Sequence, residues 1–280
     1  MNKAKLAYSC LKINQKMRTG FVITLFIAQF SFFMVNGQKK RATSKIVVHY
    51  EMHTTYNQST PKYEATLFVN DSFSLFQYHS TGKKNISKKK EKSYDGSKTE
   101  IIIPDTTTYK ILIEKRQNML YKLSGGLGDN KKYYIKESIP ELNWKLGKVK
   151  KEIQGISCHS ASVDFRGRHY KVWYAPSIPS NSGPWKLNGL PGLILEGHDA
   201  YNEVIFIAKK IEFTKEKFSV AINDSYDVLS IKENIIRQKA DLSDFKSKLQ
   251  SRLGGRDSNV KVEVNEVKAI ELNFNDIEEE

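Results

Sequence analysis

The chain contains little cysteine and little proline, and it has far fewer acidic than basic residues. Its 280 residues include 2 cysteines, 7 prolines and 3 tryptophans, with 45 Lys and Arg against 31 Asp and Glu. Cys10 precedes the apolar run near the start, so a chain cleaved after that run keeps Cys158 alone and can form no internal disulfide. The formal net charge of +14 bears on association with anionic surfaces rather than on fold.

Several sequence signatures are also missing. The chain has no serine elbow, zinc-protease motif, phosphate loop or dinucleotide fingerprint, so we expect no cofactor. It has no zinc finger, RNA-recognition or helix-turn-helix signature, so we expect no nucleic-acid partner. His49 and His53 flank Glu51 on one strand face, but the two histidines would lie about 13 Å apart at strand rise and cannot share one ion. We therefore predict no metal site.

A single long apolar run lies near the start, at residues 21–35. Five basic residues and no acidic ones precede it, and Val35-Asn36-Gly37 follows as a small-residue cleavage site. This pattern predicts a signal peptide over 1–37, removed to leave a mature chain from Gln38 with a net charge of +9. Met17 is an alternative start. We expect an exported protein without a permanent membrane span, located in the periplasm, at the outer-membrane periphery or outside the cell.

The basic residues cluster, and the end of the chain is acidic. One cluster contains Lys83, Lys84, Lys88, Lys89, Lys90 and Lys92, another contains Lys145, Lys148, Lys150 and Lys151, and the tail carries Asp276, Glu278, Glu279 and Glu280. Such runs favour a solvated loop and tail. The alternative is attraction to an anionic surface such as lipid head groups or polyanionic sugars.

Short runs rich in Val, Ile, Tyr, Phe and Thr alternate with turn residues over most of the mature chain. Predicted strands cover 45–53, 63–69, 73–79, 100–103, 109–115, 119–123, 133–135, 158–165, 168–174, 193–196 and 204–213. Many short strands joined by turns favour an all-β fold with a twisted antiparallel sheet. We expect one β-rich domain over 38–280.

One segment departs from the strand pattern. Residues 230–253 contain no glycine or proline, their apolar residues recur at helical spacing, and Gly254-Gly255 follows, which predicts a minor helical segment. Its charged face makes it a cover for the sheet. Residues 260–264 alternate and predict a last strand. By fold analogy alone, this order resembles the LolA-type half-barrel with a helix covering it.

The most distinctive segment is Gly183-Pro184-Trp185-Lys186-Leu187-Asn188-Gly189-Leu190-Pro191-Gly192-Leu193-Ile194. Its glycines and prolines leave little room for helix and predict a shaped loop. We expect a tight structural turn; the alternative is a ligand or partner loop.

This segment resembles the GLPGLI proteins, an exported family found mainly in Bacteroidota with no settled activity. Further family phrases stand in the family's order at 139–146, 153–158, 165–174 and 178–179. The resemblance implies an exported β-rich domain and supplies no active site.

The candidate binding residues are aromatic, apolar and basic positions around this segment. They are Trp144, Arg168, Trp173, Tyr174, Trp185, Leu190, Pro191 and Gly192. The tryptophans and Tyr174 could line an apolar site for an acyl chain or peptide, or form ordinary sheet core. Arg166 and Arg168 could clamp an anion on a continuous strand, whereas a turn at Gly167 would separate them.

Cys158 is either a buried core residue or a reactive thiol. His159 points to the opposite face of a regular strand, so a catalytic pair would need His169 or another strand.

Together these patterns predict a non-enzymatic binding module of the cell envelope whose partner is a lipid, a lipopeptide or an envelope protein. Two alternatives remain. One is an envelope enzyme or thiol-dependent factor that uses Cys158. The other is a structural partner of an outer-membrane transporter, which requires the loop at 176–191 to be exposed and apolar.

Overall fold

The structure is a computed structural model that describes residues 41–55, 61–81, 87–93, 96–102, 108–125, 131–253 and 270–271. Strands dominate these ranges. They are β1 Arg41–Thr43, β2 Ile46–Thr54, β3 Lys62–Val69, β4 Phe73–Ser80, β5 Ser87–Ser93, β6 Gly96–Ile102, β7 Thr108–Glu114, β8 Met119–Gly125, β9 Lys132–Ser138, β10 Lys145–Ile153, β11 Ile156–Phe165, β12 Arg168–Ala175, β13 Leu193–Asp199, β14 Val204–Glu212, β15 Lys217–Ser219 and β16 Asp227–Leu229. A helix, α1, spans Ile231–Leu253. The predicted all-β class with a minor helical segment is confirmed.

Twelve strands form one large sheet in the order β10-β11-β12-β13-β14-β2-β3-β4-β7-β8-β9-β16. All of its pairings are antiparallel except β16 against β9, which is parallel. Two further sheets are two-stranded, β1 with β15 and β5 with β6. The strand β10 therefore forms one edge of the large sheet and the short β16 forms the other.

Hydrophobic residues on the strands produce the core because alternate side chains face the same side of a sheet. In β2, for example, Val48, Tyr50 and Met52 are buried, while His49, Glu51 and His53 on the other face are half-buried. The main cluster runs from β2 across to β12 and β13 and includes the loop before β13. A second cluster, which includes Val47 and Phe68, packs under Phe218 of β15.

The helix α1 begins with a capping box. The backbone N–H of Ser230 donates to Glu233 Oε2 at 2.7 Å, and the backbone N–H of Glu233 donates to Ser230 Oγ at 3.2 Å. This reciprocal pair satisfies two backbone donors at the start of the helix. Tyr133 in β9 donates its hydroxyl to Asn234 Oδ1 at 3.0 Å. The most extensive contacts of α1 are with β9 and β16, at one end of the sheet order.

Two lysine-rich stretches differ from the sequence prediction. Residues predicted as solvated loop form β5 and the edge strand β10. In β10, backbone pairing with β11 overrides the low strand propensity of lysine, and the side chains of Lys145, Lys148 and Lys150 remain exposed at the edge. The predicted strand at 260–264 lies outside the described residues. No helix within the described ranges is both long enough and apolar enough to cross a membrane.

Candidate functional site

The glycine- and proline-rich loop that precedes β13 folds into the protein core. Trp185, Lys186, Leu187 and Leu190 are all buried. This geometry agrees with the predicted structural turn, and it is the reverse of the exposed apolar loop that the transporter-partner alternative requires.

Close packing explains why glycine stands at two positions of this loop. A Cβ on Gly183 would lie 2.6 Å from the backbone oxygen of Leu187, and one on Gly192 would lie 2.4 Å from the backbone oxygen of Ala175. Real Cβ atoms do not approach oxygen so closely. The loop therefore lies directly against the end of β12.

Most of the candidate aromatic residues belong to the core. Trp185 contacts the rings of Phe165 and Tyr170 at centroid distances of 5.4 and 6.0 Å. Tyr174 is buried with its ring 6.0 Å from that of His159. Leu190 is buried in the main core cluster, while Pro191 is exposed. For Trp185, Tyr174 and Leu190 the structure favours the sheet-core interpretation over the lining of a site.

Trp144, in the segment before β10, forms a hydrogen bond to the loop that precedes β13. Its indole Nε1 donates to the backbone oxygen of Asn188 at 2.8 Å. The side chain is half-buried and packs against the main core. Its role in the structure is to hold the loop in place.

Arg166 and Arg168 do not form a common clamp. Arg166 has a φ of 50° and Gly167 a φ of 77°, so the two residues form the turn between β11 and β12. Arg168 donates from Nη1 to Asp199 Oδ2 at 2.5 Å and to Glu203 Oε2 at 2.8 Å, in ion pairs that leave its side chain almost fully buried. Although burial opposes ionisation, these two carboxylates raise the pKa of Arg168.

Cys158 is a buried free thiol in β11. Burial raises its pKa to about 11, which disfavours the thiolate needed for nucleophilic or redox chemistry. His169 lies opposite Asp164 in the pairing of β11 with β12. Asp164 is six residues beyond Cys158 along β11, which places it about 20 Å from Cys158 at strand rise. This environment gives the reactive-thiol prediction no support.

Among the described residues, no group of three or more His, Cys, Asp or Glu could hold a metal ion.

Trp173 has the environment most suited to binding among the candidate residues. The side chain is 8% exposed, and its indole Nε1 has no hydrogen-bond partner within the described ranges. The ammonium group of Lys151 lies 3.6 Å from the centroid of the indole, and that of Lys171 lies 5.2 Å from it. The ring of His198 packs at 5.6 Å.

Strand register creates this arrangement, which we call the Trp173 site (Lys151, Lys171, Trp173, Glu196 and His198). Trp173 in β12 lies directly opposite Glu196 in β13, and Lys171 lies opposite His198. Lys151 reaches over from β10 and binds Glu196 Oε1 through its Nζ at 2.5 Å. An aromatic plane beneath two cations, with a buried N–H donor, can accept an anionic group.

A second polar cluster was missed by the sequence analysis. We call it the Glu271 site, formed by Lys122, Glu137, Arg166, Lys186 and Glu271. Lys186 binds both Glu137 and Glu271, the latter through Nζ to Oε1 at 2.5 Å. Arg166 Nη2 donates to Glu137 Oε2 at 2.8 Å, and Lys122 Nζ lies 3.4 Å from Glu271 Oε2. The acids and bases lie up to 149 residues apart in sequence, so no local motif reveals them.

The cations of this site keep Glu271 ionised. Burial alone would raise the pKa of this carboxyl, but the nearby charges of Lys122, Lys186 and Arg166 outweigh burial and lower the pKa to about 2. The carboxylate therefore stays charged inside the fold at every physiological pH.

A comparison with protein families finds a match to a family of unknown function. A model of that family, Porph_ging, described as a protein of unknown function, matches residues 166–196. The matched region includes both the Trp173 strand and the loop that carries Lys186. No curated protein matches the chain.

Solved structures that are similar include two of PNGF-II, in space groups P21 and C2. Their TM-scores are 0.47 and 0.44, with 13% and 12% sequence identity. Each match covers 71% of this chain and 34% or 33% of the other. The chain thus spans about a third of the length of these structures.

Proposed function

We propose that the protein is an exported, non-enzymatic binding module of the cell envelope that recognises the anionic head group of a lipid or lipopeptide. The observation that carries this proposal is the Trp173 site. The buried indole N–H has no hydrogen-bond partner among the described residues, and the ammonium groups of two lysines lie over the indole ring. A buried donor without a partner costs roughly 1–3 kcal/mol, and a ligand oxygen would remove that cost.

The charge around the Trp173 site favours an anion. Lys148 and Lys150 are exposed on the edge strand β10, and Lys171 is exposed on β12. Leu146 and Val149, also on β10, are 63% and 55% exposed. A basic edge with apolar residues beside an aromatic ring suits an amphipathic surface, in which charged head groups adjoin acyl chains.

The packing of the other aromatics argues against an acyl chain held in the interior. Trp185 and Tyr174 already contact core side chains, so they support a head-group site more than an enclosed lipid cavity. An envelope protein as partner is the alternative ligand, since the same basic edge could pair with an acidic strand. An enzyme based on Cys158 is favoured less because its thiol is buried.

Export is part of this proposal. The basic residues before 21–35 and the Val35-Asn36-Gly37 end support a cleaved leader and a location in the periplasm, at the outer-membrane periphery or outside the cell.

A vesicle flotation assay tests the head-group proposal. The mature chain, residues 38–280, would be mixed with vesicles of phosphatidylcholine alone or of phosphatidylcholine with phosphatidylglycerol, whose charge gives an anionic surface. We expect flotation only with phosphatidylglycerol, weakening as salt screens the charges. Free inorganic phosphate should compete if the phosphate group alone is recognised.

Variants separate the Trp173 site from general charge. Trp173→Phe keeps the ring but removes the N–H donor, and Lys171→Gln removes one cation; both should weaken flotation several-fold. Lys232→Gln removes an exposed charge from α1 and is the matched control. Equal loss in all three variants, or binding to phosphatidylcholine alone, would contradict the proposal.

A further inference from the structure

We propose that the Glu271 site is a binding site for an extended peptide segment that carries a glutamate, and that the chain's own residues 270–271 are its resident ligand. This inference concerns a different part of the fold from the Trp173 site and does not depend on the head-group proposal.

Two groups of the resident segment, a carboxylate and a backbone oxygen, are bound as they would be in a bound peptide. The side-chain carboxylate of Glu271 is held by Lys122 and Lys186, and the preceding backbone oxygen, that of Ile270, accepts from Arg168 Nε at 2.9 Å. One cationic side chain donates to a backbone carbonyl, and ammonium groups bind the carboxylate of the next residue. Such a pattern can recognise an extended chain that carries a carboxylate.

The other four residues of the site lie on the sheet and its loops. Lys122 lies on β8, Glu137 on β9, Arg166 in the turn after β11, and Lys186 in the loop before β13. Glu137 already binds Arg166 and Lys186. The pocket is therefore built by the sheet and its loops, and the segment at 270–271 enters it from more than 80 residues away in sequence.

Charge balance decides what the pocket accepts. Without Glu271, three cations would face the single carboxylate of Glu137, and Arg166 and Lys186 are almost completely buried. A buried cation without a counter-ion is strongly unfavourable, so the empty pocket should take up another carboxylate. Lys122 is 25% exposed, which gives the site a solvent-facing side for entry.

Rescue of a vacated pocket tests the proposal in the full chain. Glu271→Ala removes the carboxylate, and thermal unfolding is then followed with a peptide of residues 267–275 or with the same peptide carrying Gln at position 271. We expect the Glu peptide to raise the melting temperature of Glu271→Ala by about 3 °C or more at saturation, since that is what about 1 kcal/mol gives for a chain of this size. The Gln peptide should have no effect, and neither peptide should stabilise the wild type.

Two further variants complete the test. Glu271→Ala combined with Lys186→Met removes the main cation, so the Glu peptide should no longer stabilise it. Glu152→Ala, an exposed carboxylate on β10, is the matched control and should not respond to either peptide. If Glu271→Ala does not fold, binding of the labelled Glu and Gln peptides to Glu271→Gln replaces the melting experiment. Equal effects of the two peptides, or no effect of either, would overturn the proposal.

Discussion

A lysine buried in a glycine- and proline-rich loop requires a carboxylate close to its ammonium group. Lys186 meets this requirement twice, through Glu137 and Glu271. The sequence marks the loop clearly, but it offers no sign that the lysine inside it points inward. Glu137 lies near the end of β9 and Glu271 lies near the acidic end, so neither stands in a local pattern with Lys186. Only the tertiary fold brings the three side chains together.

The stability of the protein should depend on the charge of Glu271. Its folded pKa of about 2 lies below the usual value of 4.5 for a glutamate, so its contribution is complete above pH 4.5 and is lost as the pH falls toward 2. We expect Glu271→Gln to lower the free energy of unfolding by about 3 kcal/mol at pH 7, as for a broken buried ion pair. Urea unfolding at several pH values measures this difference.

The difference between wild type and Glu271→Gln should shrink between pH 4.5 and pH 2, because the wild-type carboxylate becomes protonated while glutamine does not titrate. Glu152→Gln, on the exposed edge strand, is the control and should stay within about 0.5 kcal/mol of wild type. A difference that is independent of pH would mean that Glu271 acts through packing rather than charge.

At the scale of single elements, strands with alternating apolar residues were the most predictable. The predicted bounds of β3, β4 and β12 differ from the observed ones by one residue at most. In the turn before β4, Asn70 Oδ1 accepts from the backbone N–H groups of Ser72 and Phe73 at 2.9 and 2.7 Å. Asparagine side chains form such turns locally, which is why the sequence reveals them.

The lysine-rich strands could not be predicted in the same way. β10 has few buried residues, and its strand geometry comes from backbone hydrogen bonds to β11 rather than from its own side chains. Its register shifts between Leu146 and Lys150, a bulge of the kind that protects sheet edges. Lys145, Lys148 and Lys150 of β10 are therefore exposed as predicted, but they lie on a strand rather than in a loop.

The loop before β13 depends on glycine for close packing. Gly192→Ala would place a Cβ 2.4 Å from the backbone oxygen of Ala175, so either the loop or the end of β12 must move. We expect a loss of about 2–3 kcal/mol in the free energy of unfolding, measured by urea denaturation.

Gly155→Ala is the comparison for that prediction. Gly155 has a φ of 74° but open space around its Cβ position, so alanine there should cost only the backbone strain of about 1–2 kcal/mol. If Gly192→Ala is the less damaging of the two, the loop is not packed against β12 as described.

At the scale of the whole molecule, one long sheet carries two polar sites with different surroundings. The Trp173 site lies on β12 and β13, next to the basic edge strand β10. The Glu271 site is enclosed by β8, β9 and the loops beyond β11 and before β13. Of the aromatics named from sequence, the fold places Trp173, Tyr174 and Trp185 in the main core cluster, and Trp173 also lies against the ammonium groups of Lys151 and Lys171. Sequence alone could not separate these roles, because the lysines that contact Trp173 include Lys151, which lies on another strand.

The central claim is that Trp173 donates its indole N–H to an anionic ligand, and the indole signals in a proton–nitrogen correlation spectrum test it directly. Residues 38–280 contain 3 tryptophans, so three indole signals are expected and can be assigned by Trp→Phe variants. Titration with a short-chain phosphatidylglycerol should shift the Trp173 signal downfield, as a new hydrogen bond forms, while that of buried Trp185 stays in place. An unchanged Trp173 signal at a lipid concentration that saturates flotation would contradict the account.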